Sequence, residues 1–106
     1  EKKMHKKLPA ITEEEDVKAI VIMLRALASE ARLHLLKSLY EHPKTWTELV
    51  LELKVNPKVL RDNLAYLRKS NLVQRKNPVG FELTEAGRAV MELSLREILE
   101  ASREIA

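Results

Sequence analysis

The sequence predicts a mostly helical chain with one small β-hairpin and a long closing helix, on three observations. Ala, Leu, Glu, Lys and Arg, the better helix formers, dominate the 106 residues. Only 2 Gly and 4 Pro are present, too few for a turn-rich all-β fold. The helical spacing of apolar residues gives way to short strand-like segments in one place, around the turn signal Asn77-Pro78-Val79-Gly80.

The length fits one domain with a single core. A hydrophobic content of 45% with 33% charged residues fits a globular chain rather than a disordered one. No cysteine occurs, which excludes disulfides and thiolate metal sites and suits a cytoplasmic protein. The longest uncharged run, Ala19 to Leu24, is far too short to span a bilayer, so no membrane partner is expected. The opening "EKKMHKKLPA" is basic without an apolar region behind it, so no secretory signal is read there.

Residues 1–10 read as a basic arm ending near Pro9, and residues 11–106 as a single domain. Thr12 and Glu15 have capping-box spacing ahead of a first helix, roughly Glu13 to Leu27. Its Val17, Ile20, Val21, Leu24 and Leu27 recur at helical spacing. Ser29 is an N-cap for a second helix, about Glu30 to Tyr40, with Leu33, Leu35, Leu36 and Leu39 facing inward. His42-Pro43 stops it, because the proline ring cannot continue the hydrogen bonding. A short third helix covers about Glu48 to Leu53. It opens either on a Thr45–Glu48 capping box, or on Thr47 after a short strand at Thr45-Trp46. Asn56 as N-cap and Pro57 at the first helical position start a fourth helix to about Ser70, burying Leu60, Leu64 and Leu67. Leu72 to Lys76 and Phe81 to Leu83 are the hairpin strands, and Thr84 caps a last helix that runs to the C-terminus.

Charge is unevenly spread. The chain carries a net +3, yet between Leu53 and Phe81 seven basic residues (Lys54, Lys58, Arg61, Arg68, Lys69, Arg75 and Lys76) face one acidic residue, Asp62. Two helices joined by a few residues, the second capped and basic, describe a helix-turn-helix at about 46–70. The hairpin at about 72–83 makes it a winged one, closed by a helix at about 85–106.

Three stretches carry a resemblance. "LRALASEARLHLLKSLY" resembles the second-helix signature of the ArsR family of winged-helix regulators, and "TELVLELKVNPKVLRDNLAYLRKSNLV" is similar to its helix-turn-helix. "GFELTEAGR" resembles the wing's return strand and the start of the last helix, a feature shared with MarR-like and PadR-like regulators. The resemblance covers roughly residues 24–90 and implies a double-stranded DNA partner, with the fourth helix in the major groove. The DNA-binding candidates are then Asn56, Lys58, Arg61, Asp62, Arg68, Lys69, Arg75 and Lys76. Arg61 suits a bidentate contact with guanine. Asp62 either accepts from a cytosine amino group or pairs with Lys58 one turn back. Arg68, Lys69, Arg75 and Lys76 suit phosphates. Lys54 stands where the family's turn usually has glycine.

In the last helix Met91, Leu95, Ile98, Ser102 and Ile105 step by four, three, four and three, and Val90, Leu99 and Ala101 broaden the stripe. So long an apolar seam predicts packing against a second copy, with Val17, Ile20, Met91, Leu95, Ile98 and Ile105 at the homodimer interface. Glu92 and Arg96 have the spacing of an ion pair on the outer side.

Other chemistries find little support. Many ArsR-like proteins sense metals through cysteines at the start of the third helix, where this chain has "TWTEL". His5, His34 and His42 show no ligand spacing, so neither metal nor cofactor is expected, and His34 reads as a half-buried helix residue. There is no phosphate loop, nucleophile motif or His–carboxylate cluster, so no enzyme is read. Glu13 to Asp16 fill a first helical turn, where negative charge suits the helix dipole. Trp46 is either core packing under the wing or a wall of a ligand or partner pocket. The expected function is a cytoplasmic, nucleoid-associated, sequence-specific DNA-binding regulator. The alternatives are a winged-helix protein-interaction module and a nonspecific chromatin-like binder.

Overall fold

A computed structural model of the chain describes residues 13–105. The basic arm, His5 and the Thr12 half of the first capping box lie outside the described residues. Helix α1 spans Glu14–Leu27 and α2 spans Glu30–Glu41, followed by strand β1 at Lys44–Thr45. Helices α3 (Trp46–Leu53) and α4 (Pro57–Lys69) form the helix-turn-helix. Strands β2 (Val73–Lys76) and β3 (Gly80–Leu83) make the wing, with β3 in the centre of a three-stranded antiparallel sheet ordered β1-β3-β2. Helix α5 (Glu85–Leu93), a π-helical turn (Ser94–Ile98) and α6 (Leu99–Ile105) complete the described residues.

Thr45 fulfils both roles that the sequence offered as alternatives. It pairs with Gly80 in the sheet, and its hydroxyl accepts from Glu48 N at 3.1 Å while Glu48 Oε1 accepts from Thr45 N at 2.8 Å. The complete capping box starts α3 at Trp46, two residues before the expected Glu48. Helix α3 ends on Lys54, which is left-handed at φ 54. This is the turn position where glycine would be unstrained.

The far end of α4 closes in a Schellman motif. Asn71, at φ 62, donates to Arg68 O at 3.0 Å, and Leu72 N donates to Leu67 O at 2.9 Å. Leu67 and Leu72 are both fully buried, so the hydrogen bonds and an apolar contact fix the exit angle together. Leu72 O then receives Thr84 N at 3.0 Å, and a Cβ on Gly87 would lie 2.1 Å from that same oxygen. Only glycine lets α5 approach the α4–β2 junction this closely.

The core gathers Leu35, Leu36 and Leu39 of α2, Leu49 of α3, and Leu60, Leu64 and Leu67 of α4 against Phe81 and Leu83 of β3. Arg32 ties three helices. Its Nε donates to Ala26 O at 2.8 Å, Nη2 to Arg25 O at 2.6 Å and Nη1 to Asn63 Oδ1 at 3.4 Å, with the guanidinium 4.1 Å from the Tyr66 ring centre. A cation at the carbonyl end of α1 also suits that helix's dipole.

Lys44 was not singled out by the sequence. Only 5% exposed, its ammonium donates to Ser38 Oγ at 2.9 Å, Glu41 Oε1 at 3.0 Å and Glu52 Oε1 at 2.7 Å, joining α2, β1 and α3. Burial works against the charge, but the hydrogen bonds to Glu52 and Glu41 outweigh it and raise the Lys44 pKa. Those from Lys44 and then Ser38 hold the Glu52 carboxyl below its ordinary value.

Four expectations need correcting. Leu33 is 38% exposed, because it stands two residues, about 200° of helix, from the buried Leu35. His34 is exposed rather than half-buried. Met91 is 2% exposed and belongs to the protomer's own core, not to an outer seam. The Glu92–Arg96 pair does not form among the described residues: Glu92 accepts from the Tyr40 hydroxyl at 3.3 Å instead. In the π turn Leu99 N donates to Ser94 O, five residues back. The extra residue rotates everything beyond it by about 100° relative to a straight α-helix, so the stripe extrapolated from Met91 does not stay on one line.

Candidate nucleic-acid interface

Helix α4 has two faces of opposite chemistry. Leu60, Leu64 and Leu67 enter the core, while Lys58, Arg61, Asp62, Ala65, Arg68 and Lys69 are exposed. Pro57 at its start and the Asn56 side chain, which accepts from Lys58 N at 2.7 Å, fix where the helix begins. Asn56 therefore holds the helix end rather than standing free. Lys58 donates to Asp62 Oδ2 at 3.0 Å, the pairing that the sequence offered as one of two roles for Asp62. Both side chains remain largely exposed, so a solvent-screened pair of this kind adds little to stability.

The remaining arginines converge. Arg61, Arg68 of α4 and Arg75 of β2 line one concavity of about 410 Å³ between α4 and the wing, together with Trp46, Leu64, Ala65, Val79 and Phe81. No carboxylate is among its lining residues. The Arg61 guanidinium lies 6.0 Å from the Trp46 ring centre, and that of Arg75 lies 5.4 Å from the Phe81 ring centre. Attraction between a guanidinium and a π face restrains both side chains. The cleft thus joins three cationic groups, two of them restrained by a ring, to an apolar floor, which favours a partner carrying negative charge on a partly apolar frame.

Lys69 and Lys76 stand outside this cleft. Lys69 is in the last turn of α4, and Lys76 lies 3.6 Å from Glu82 Oε1, so the neighbouring strand partly offsets its charge. Glu82 also accepts from Gln74 Nε2 at 2.9 Å. Sequence reasoning missed Glu82 because it falls just beyond the basic segment, and only strand pairing brings it alongside Gln74. It left Trp46 either as packing under the wing or as a pocket wall; Trp46 lines the concavity, and the pairing of its ring with Arg61 had no signal in the spacing.

A second surface is apolar. Val17 and Ile20 of α1, Leu95 and Ile98 of the π turn and Ile105 of α6 are all exposed, as are Leu24 and Leu99 of the expected stripes and the unpredicted Ile22 and Leu93. Helix α6 buries none of its residues within the protomer. Among the described residues no group of His, Cys, Asp or Glu is placed to hold a metal ion, and no helix is long and apolar enough to cross a membrane.

The profile of the family described as "Bacterial regulatory protein, arsR family" matches residues 29–75. Among solved structures, HlyU from Vibrio cholerae N16961 is 32% identical, with a TM-score of 0.70 over 79% of this chain and 96% of that one. A transcriptional regulator HlyU from Vibrio vulnificus CMCP6 is also 32% identical, with a TM-score of 0.65 over 78% of this chain and 93% of that one. A transcriptional regulator of the MarR family from Enterococcus faecalis V583 is 25% identical, with a TM-score of 0.74 over 91% and 92%. No match is found among curated protein sequences.

Proposed function

The chain belongs to the ArsR family of bacterial regulatory proteins, and on that premise we propose that it binds double-stranded DNA sequence-specifically as a homodimer. It is a transcriptional regulator of the winged-helix type. In this reading α4 lies in the major groove, where Arg61 reads a base edge, and the wing grips phosphates through Arg75 and Lys76. The observation that carries it is the three-arginine cleft with no lining carboxylate at the junction of α4 and wing. Lys58, Arg68 and Lys69 add positive charge along the same helix. Asp62 serves to hold Lys58.

The exposed apolar residues of α1 and the C-terminal stretch suit a second copy of the chain, through Val17, Ile20, Leu95, Ile98 and Ile105. A two-fold dimer would place two reading helices about 34 Å apart, on a site of approximate two-fold symmetry. Residues 11–106 act as one domain in this proposal, with the nucleoid the place of work. The test is selection from a random-sequence duplex pool at two salt concentrations, with Arg61→Ala in parallel. Enrichment of a near-palindromic site, relaxed at one position per half-site in the variant, is the expected result. Uniform binding that collapses with salt would replace the specific reader with a nonspecific binder.

A further inference from the structure

We propose that the cleft between α4 and the wing seats one deoxynucleotide of the DNA backbone, and that Trp46 and Phe81 are positioning residues holding Arg61 and Arg75 over it. The inference rests on the proposed DNA binding and goes on to the occupant of one site. If α4 enters a major groove and the wing meets the adjacent minor groove, the strand separating those grooves must pass between them. The concavity lies at that crossing, lined by Arg61, Ala65 and Arg68 from the helix and by Arg75, Val79 and Phe81 from the wing. Its contents match a nucleotide unit: the Arg68 and Arg75 guanidiniums for the phosphate, Arg61 for the base edge, and ring faces with Val79 for the apolar side of the sugar. About 410 Å³ is also within the range of pockets that hold small-molecule-sized groups.

The floor is held independently of any ligand. Trp46 is the first residue of α3, anchored by the Thr45–Glu48 capping box and by the pairing of Thr45 with Gly80. Phe81 is buried at the centre of the sheet, paired with Lys44 on one side and Arg75 on the other. Two aromatic rings fixed by backbone hydrogen bonds therefore restrain two arginines that would otherwise sample many rotamers. Less freedom is then lost when DNA arrives.

Trp46 is the chain's only tryptophan, so its emission reports on this cleft alone. The wild-type chain is titrated with a duplex, with a free deoxynucleoside monophosphate and with inorganic phosphate. A saturable emission change with duplex, absent with the two small anions at the same phosphate concentration, is expected. An equal response to the free nucleotide would overturn the backbone assignment and make the cleft a free-nucleotide site. Duplex binding with unchanged emission would overturn the seat while leaving DNA binding intact, and no duplex binding at low salt would remove both.

The positioning role is read from a double-mutant cycle. Trp46→Leu should weaken duplex binding about fivefold, Trp46→Phe less than twofold, and Trp46→Leu in an Arg61→Ala background hardly at all. Equal losses with and without Arg61 would show a merely structural tryptophan and overturn the role. Should Trp46→Leu fail to fold, Phe81→Leu with and without Arg75→Ala asks the same question at the other aromatic.

Discussion

Helix α4 and the C-terminal stretch from Glu85 to Ile105 are both helices that the protomer's core uses on one side only, and they leave opposite chemistries outside. Helix α4 buries Leu60, Leu64 and Leu67 and exposes Lys58, Arg61, Arg68 and Lys69. The C-terminal stretch buries Met91 and exposes Leu93, Leu95, Ile98, Leu99 and Ile105. A charged outer face keeps its hydration until a polyanion replaces it, whereas an apolar one gains by leaving water altogether. One fold thus presents a surface suited to DNA and another suited to its own copy.

Placing a charge on the apolar face should have the largest effect. Leu95→Glu with Ile98→Glu is expected to give a monomer by sedimentation and to weaken binding to a two-half-site duplex by about 10³-fold, through lost avidity. A monomer that binds such a duplex as tightly as the wild type would show that the apolar face plays no part in DNA binding. Next is the support beneath α4. Gly87→Ala puts a methyl against Leu72 O and should cost about 3 kcal/mol of stability in denaturant titration, since a backbone carbonyl is there and not a movable side chain.

The Lys44 cluster comes third. Glu41→Gln with Glu52→Gln leaves a buried ammonium without counter-charge and should cost about 2 kcal/mol, below the fully buried case because both carboxylates reach solvent. Its pH dependence has a defined direction. Glu52, lowered in the fold, contributes stability above its ordinary pKa that disappears as pH falls through the lowered one. Lys44, raised in the fold, contributes below its ordinary pKa and loses that contribution as pH rises through the raised one. The acid-side loss should be smaller in the double variant, as measured by melting temperature from neutral pH downward. The smallest effect belongs to the exposed pair. Asp62→Asn should change stability by less than about 0.5 kcal/mol and tighten DNA binding about twofold by removing a carboxylate from the charged face. Weaker binding specific to one base pair would instead return Asp62 to reading cytosine.

What was legible in the sequence was local. Pro57 behind Asn56, the turn before Gly80, and the Leu60/Leu64/Leu67 spacing each act within a few residues, and each element formed where they indicated. What was not legible depends on partners far along the chain. Leu33 and Leu35 look alike until the neighbours of α2 are known. Met91 reads as the start of an outer stripe until the core it packs into is known. Lys44 carries no signal of its own until Glu52, eight residues on, closes over it. The basic face was visible as composition, but the cleft within it needed the wing to fold back and bring Arg75 to the side of Arg61 and Arg68.

A charged face for DNA and an apolar face that doubles it are both probed by one salt titration. Binding of a selected two-half-site duplex is measured against salt for the wild type and for Arg68→Ala with Arg75→Ala. Each phosphate contact contributes about 0.9 to the slope of log affinity against log salt. Two arginines lost from each protomer of a dimer should therefore lower the slope by about 3.6. A fall of about half that would contradict the dimer on DNA, and an unchanged slope would contradict the cleft as the place where phosphate is held.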